Sequence, residues 1–457
     1  MSSELRKLWE HAGGQLPADW TIAPLESLLR DSKGIAVGVM YPGPDTPGGT
    51  PLLKVGDIKD GVALRPSYCI SAATDEEHRR TKLIGDELLI TLVGNPGECV
   101  VVTPEMAGWN PARAIAVIRL QDIGLRTYLK TVLESTAGRH LIDAVLNTTV
   151  QKTLNLKDIR KLPIPMPTGA EIKWISGISE ALTSRITLLR ETNATLESIA
   201  QALFKSWFVD FDPVRAKLEG RTPEGMDEAT ARLFPGSFEE SELGLVPRGW
   251  RVANVGTIAD VIDCLHSKKP ELHDVGKPFL QLNNIRNDGL LDANEVAGIS
   301  DEEYGKWISR IEVSDGDCVI TNVGRVGAVA QIPSGFKAAM GRNMTAIRLQ
   351  RSWPYPTYLI ELLQSKWMRS EIENKTDTGT ILNALNVKNI PLLRCFLATS
   401  DVMNAFEDVS RPLRAGMEEN IKSANTLATL RDTLLPRLIS GQLRLSEVQV
   451  ELEESWA

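Results

Sequence analysis

The chain repeats itself. Leu16-Pro17-Ala18-Asp19-Trp20 recurs as Val246-Pro247-Arg248-Gly249-Trp250, and Pro51-Leu52-Leu53 recurs as Pro278-Phe279-Leu280. The segment GDELLITLVGNPG (85–97) returns as GDCVITNVGRVG (316–327), one residue shorter. Ile118-Arg119-Leu120 answers Ile347-Arg348-Leu349, and Thr127-Tyr128-Leu129 answers Thr357-Tyr358-Leu359. Leu154-Asn155-Leu156-Lys157-Asp158-Ile159 answers Leu385-Asn386-Val387-Lys388-Asn389-Ile390. The order is kept throughout, so chance is a poor explanation. The period, from position 16 to position 246, is about 230 residues, far beyond the roughly 20–50 of a solenoid repeat. Each copy is therefore a domain with further chain attached.

A long amphipathic stretch succeeds the first copy. Apolar residues fall at Ile175, Ile178, Leu182, Leu189, Leu196, Ile199 and Leu203, a spacing close to a heptad seam, interrupted by Arg185 and Thr192. The spacing predicts a helix over 170–209, which at ~1.5 Å per residue makes a rod of about 60 Å. After the second copy the same pattern predicts a helix over 401–440. Phe406, Val409, Leu413, Met417, Ile421, Leu427, Leu434 and Leu438 form its seam, and Gly441 its stop. Within each copy we expect short strands around a Gly-Asp corner, one helix near 126–146 or 356–374, and a closing Leu-Asn turn.

The resulting fold class is α+β. Two similar mixed α/β domains, 1–165 and 245–395, are separated by two long antiparallel coiled-coil helices within 166–214 and 396–445. A linker spans 215–244, its Gly220–Gly244 stretch rich in Gly, Pro, Glu and Ser, and an acidic tail spans 446–457. Antiparallel pairing results if the halves are related by a pseudo-two-fold axis. Duplex DNA is the common ligand with such a relation of its own.

Composition narrows the function. No apolar run approaches the ~18 residues of a membrane span, and MSSELRKLWEHAGG has no apolar signal core, so a cytoplasmic protein is expected. Cys69, Cys99, Cys264, Cys318 and Cys395 are scattered, with no CxxC pair, and are read as reduced thiols. The formal charge of −8 at first disfavours nucleic acid. Its acid excess, however, lies in 166–244 (net −5) and 396–457 (net −4), whereas 15–165 is neutral and 245–395 carries +1. Each domain can still show one basic face.

The chain resembles the specificity (S) subunits of type I restriction–modification systems. The resemblance covers nearly the whole chain. It is carried by Ala202-Leu203-Phe204-Lys205-Ser206-Trp207-Phe208-Val209-Asp210-Phe211-Asp212-Pro213, by Leu233-Phe234-Pro235-Gly236-Ser237-Phe238 running into Ser241-Glu242-Leu243-Gly244, and by Leu434-Leu435-Pro436-Arg437-Leu438-Ile439-Ser440-Gly441. It implies two target recognition domains, each reading half of a split site in double-stranded DNA. It further implies helices that set the spacing and dock methyltransferase (M) subunits, with optional motor/nuclease (R) subunits. The chain itself would then carry no catalysis, and any S-adenosylmethionine, ATP or Mg requirement would belong to the partners.

The residues agree. The chain has no GxxxxGK[ST] loop and no GxGxxG after a strand. Val93-Gly94-Asn95-Pro96-Gly97 lacks the second proline and aromatic of an amino-methyltransferase motif and reads as a turn. Of the five histidines only His266 and His273 are near each other, and no metal site is expected. Asp210 and Asp212 read as a helix end beside Pro213. For DNA contact, Arg and Lys suit guanine, Asn and Gln suit adenine, and all can hold phosphate. Candidates in the first copy are Lys54, Lys59, Arg79, Arg80, Lys82, Asn95, Asn110 and Arg113. In the second they are Lys268, Lys269, Gln281, Asn283, Asn284, Arg286, Arg325, Arg342 and Asn343. Arg119 and Arg348 are shared and read as structural. Trp174, Phe204, Trp207 and Phe208 are expected to offer aromatic surface to M subunits. Two rival readings remain: a protein-binding scaffold, and a specificity unit with hidden catalytic activity.

Overall fold

The computed structural model describes residues 2–59, 61–146, 152–293, 296–377 and 383–444. They divide into two units, residues 1–186 with 426–457 and residues 187–425. In the first unit β1 (Ile35–Val37), β2 (Leu88–Thr91), β3 (Cys99–Val101) and β4 (Ile115–Ile118) form an antiparallel sheet in the order β1-β4-β2-β3. In the second unit β5 (Ala259–Asp263), β6 (Cys318–Thr321), β7 (Val329–Gln331) and β8 (Met344–Leu349) take the order β5-β8-β6-β7. Strand for strand, the connectivity is the same.

Both sheets are covered on both faces, which is why their central strands read as unbroken apolar runs rather than alternating ones. Every residue of β2, β4 and β6 is buried. Leu88, Ile90, Ala116 and Ile118 face a core shared with Leu129, Val132 and Ile164, while Leu89, Ile115 and Val117 face one shared with Leu53 and Val100. The second unit repeats this with Cys318, Ile320 and Ile347 on one side and Val319, Met344 and Ala346 on the other. Beside each sheet runs a short parallel ladder, Leu52–Leu53 with Asn110–Pro111 and Phe279–Leu280 with Ala339–Met340.

Each long helix is continuous, Gly169–Phe208 and Ser400–Ile439, within one residue of expectation. Their pairing is antiparallel inside each unit. In the first unit Ile172 and Ile175, near the start of one helix, cluster with Leu438 and Ile439 at the end of the other. In the second, Phe204 and Phe208 cluster with Val402 and Phe406. There Asn193 Nδ2 donates to the Met417 carbonyl at 3.0 Å and its Oδ1 accepts from Asn420 at 2.8 Å. The seam is less regular than expected. Ile199 and Val409 are about half exposed, at 49% and 48%, while Ala200 and Asn193 point inward. Gly441, with φ +67°, ends the second helix. A Cβ there would meet Pro17 at 2.2 Å.

Two expectations are corrected. The stretch 126–146 forms two helices, Arg126–Glu134 and Thr136–Ala144, because Ser135 is extended and its hydroxyl accepts the Gly138 N–H at 3.1 Å. Ser365 does the same between Pro356–Gln364 and Lys366–Lys375, accepting from Met368 at 3.1 Å. The stretch 215–244 is also more than a linker. It carries most of helix Asp212–Leu218, helix Glu228–Leu233, strand Phe238–Ser241 paired with Gly244–Pro247, and Phe234 buried in the second unit's core. The tail 446–457 lies outside the described residues. No described helix is long and apolar enough to cross a membrane.

Candidate nucleic-acid interface

The parallel ladder ends alike in both units. The Ala112 N–H donates to the Leu53 carbonyl at 2.8 Å, and the Gly341 N–H donates to the Leu280 carbonyl at 2.9 Å. The next residue on each crossover is an exposed arginine, Arg113 or Arg342. On the neighbouring strand the chain leaves the ladder at Lys54 or Gln281. There a side chain three residues on accepts the backbone N–H: Asp57 Oδ2 from Lys54 and Asn284 Oδ1 from Gln281, both at 2.8 Å. In the first unit this shared turn begins at Lys54, the residue after the Leu53 carbonyl that accepts the Ala112 N–H, and Arg113 is the residue after Ala112. In the second unit the turn places Gln281 and Asn283 with Arg342, Asn343 and Lys269 around a cleft of about 420 Å³ over Phe279 and Trp307. Lys54 Nζ lies 3.3 Å over the Tyr68 ring, a cation–π seat that fixes its position.

Other candidates are engaged elsewhere. Asn110 is fully buried. It accepts from Thr81 at 2.7 Å and donates to Asp75 at 3.3 Å and to the His78 carbonyl at 3.2 Å, so it braces the ladder and cannot reach DNA. Asn284, also fully buried, closes its turn and is likewise not a surface contact. Arg286 grips Asp288 through Nε and Nη2, at 3.0 and 2.6 Å. Arg325 donates to the Ile285 carbonyl at 2.9 Å and to Asn287 at 2.6 Å. Arg79 pairs with Glu76 at 3.3 Å, Arg80 donates to the Lys33 carbonyl at 2.7 Å, and Lys82 pairs with Asp75. Asn95 donates to Glu98 at 3.0 Å. Lys268 is exposed, and the side chain of Lys59 lies outside the described residues.

Arg119 and Arg348 do hold the sheets. Arg119 donates to Glu87 at 2.9 Å, and Arg348 Nε donates to Asp317 at 2.8 Å. His266 meets Asp263 at 2.8 Å rather than His273. Its cluster with Asp263 and Cys264 is contested by Arg310, 3.6 Å from the same carboxylate. Sequence reasoning missed Met40 and Tyr41, 43% and 78% exposed. They come just after Val39, whose carbonyl accepts the Arg113 N–H at 2.9 Å. An exposed loop tyrosine has no local signature that separates it from a buried one.

No family model matches the chain. The type I restriction enzyme HindI specificity subunit of Haemophilus influenzae is 24% identical over 360 residues, covering 69% of this chain and 74% of that protein. The EcoBI specificity subunit of Escherichia coli is 28% identical over 198 residues, 41% of this chain and 42% of that one. The chain is a relative of type I restriction enzyme specificity subunits. Its fold agrees with theirs. The crystal structure of a type I restriction–modification S subunit from M. genitalium superposes with a TM-score of 0.54 at 16% identity, over 93% of this chain and 98% of that one.

For this specificity-subunit relative, one expected partner surface is corrected. Phe204, Trp207 and Phe208 are buried, at 1%, 4% and 1%. Phe208 packs against Trp250 and Tyr358 with ring centroids at 5.6 and 5.0 Å, and Trp207 meets Phe234 edge-on at 5.0 Å. The segment read as linker folds back and supplies Phe234, which covers the face that would otherwise be open. Trp174 is half-buried against the first unit's core.

Proposed function

We propose that the chain is the DNA sequence-recognition subunit of a type I restriction–modification complex. Each unit reads one half of a bipartite duplex site, and the long helices dock methyltransferase subunits. The observation that carries this reading is the doubled crossover: the same ladder end, with an exposed arginine, occurs once per unit, and the polar residues beside it differ. A pair of like scaffolds with unlike tips suits a site whose two halves share a backbone and differ in bases. The chain performs no chemistry of its own; S-adenosylmethionine, ATP and Mg are used by the partner subunits.

The test is binding and methylation by the full chain, alone and with M subunits. The assembled complex should bind a duplex bearing its split site with affinity that falls steeply as salt rises, and methylate it. The chain alone should transfer no methyl group. Methyl transfer by the isolated chain, or salt-insensitive binding by the complex, would contradict the reading.

A further inference from the structure

Arg113 and Arg342 occupy the same point of the two crossovers. Each lies one residue past the ladder hydrogen bond, and one residue before the carbonyl that accepts the N–H closing the next strand, Leu92 to Ala114 at 2.7 Å and Asn322 to Asn343 at 2.8 Å. Both are exposed, and neither guanidinium has a hydrogen bond or ion pair among the described residues. The neighbouring positions do not match. Lys54 stands where the second unit has Gln281, Gly56 where it has Asn283, and Ala114 where it has Asn343. Asn343 is moreover in the left-handed region, φ +66°, a conformation asparagine tolerates better than most residues, whereas Ala114 is not.

Two halves of a bipartite site differ in bases and share only the phosphodiester backbone. A group common to both units is therefore suited to phosphate, and groups that differ are suited to base edges. Gln281, Asn283 and Asn343 are amides, which match adenine, while Lys54 is a cation, which matches guanine. Resting on the DNA-recognition reading above, we propose that Arg113 and Arg342 are paired phosphate anchors, one per unit. Gln281, Asn283 and Asn343 in the second unit, and Lys54 in the first, read the bases beside them.

The test uses the full chain in complex with its methyltransferase partner. Affinity for a duplex carrying the methylated motif is measured across a salt series, and the motif itself is read by sequencing modified DNA. Arg113→Ala and Arg342→Ala should each flatten the slope of log K against log salt by about 0.9, one phosphate contact, and leave the motif unchanged. Arg342→Lys, which keeps the charge, should retain the slope and shows that the alanine effect is not misfolding. Gln281→Lys with Asn283→Gly, which places the first unit's residues in the second, should change the specified bases in one half only. A changed motif in Arg342→Ala, unchanged slopes in both alanine variants, or an unchanged motif in the double variant would each overturn the assignment. In those cases salt-dependent binding by the unsubstituted complex would leave the DNA-recognition reading standing. Absence of that binding would overturn both.

Discussion

Glu87 has a fully buried side chain, and an ionised carboxylate in that position is costly unless its lone pairs are used. It accepts the N–H groups of Ile84, Gly85 and Asp86 at 3.1 Å and the Arg119 guanidinium at 2.9 Å. Arg119→Ala leaves that charge short of its partner and should lower stability by about 3 kcal/mol in urea denaturation. The methylated motif should stay the same, because the residue braces the sheet and touches no base. Glu361 presents the opposite case. Burial among the helices pushes its carboxyl up to about 7, against the pull of Arg414 and the hydrogen bond from Gln201. Between its ordinary 4.5 and about 7 the unfolded chain releases this proton and the folded chain keeps it. Its contribution to stability therefore falls as pH rises through that window and is level above it. Denaturation of the wild type and Glu361→Gln at pH 5, 6, 7 and 8 should give curves that diverge across the window and run parallel above it. Parallel curves throughout would contradict this. At this scale the sequence was partly informative. Arg119 and Arg348 stood out as structural because both copies carry them. Asn110 could not be recognised as buried, since the Asp75, His78 and Thr81 groups that hold it are 29 to 35 residues away.

Helix extents were legible where a single apolar stripe ended in a strong stop, as at Gly441. They were not legible at Ser135 and Ser365. The stripe carries on through both residues, and what breaks the run is an extended serine whose hydroxyl accepts the N–H three residues on. The aromatic end of the first long helix was read as partner surface for a related reason. Its cover comes from Phe234, inside a segment whose composition looks like linker. Phe208 touches Trp250, Tyr358 and Phe406 at ring-centroid distances of 5.0 to 5.6 Å. Phe208→Ala should therefore cost about 3–5 kcal/mol through lost packing and the cavity left behind. A variant that kept full stability and lost only M-subunit binding would restore the surface reading. Asn193, buried between the long helices and bonded to Asn420, resembles the polar core positions that fix register in coiled coils.

For the whole molecule, the duplication was the most legible feature, because a repeated order of short motifs needs no knowledge of packing. The two sheets share one connectivity, and each unit ends its ladder at a crossover with the same arginine and different neighbours. Each unit thus has its own scaffold and its own tip residues, which is what the proposed reading of one half-site per unit requires. Replacing residues 15–165 with the matching segment of a relative of different specificity, in cells carrying the M subunits, tests this most directly when the methylated motif is sequenced before and after. The bases of one half of the motif should change and those of the other half should stay fixed. A change in both halves, or in neither, would contradict separate reading by the two units.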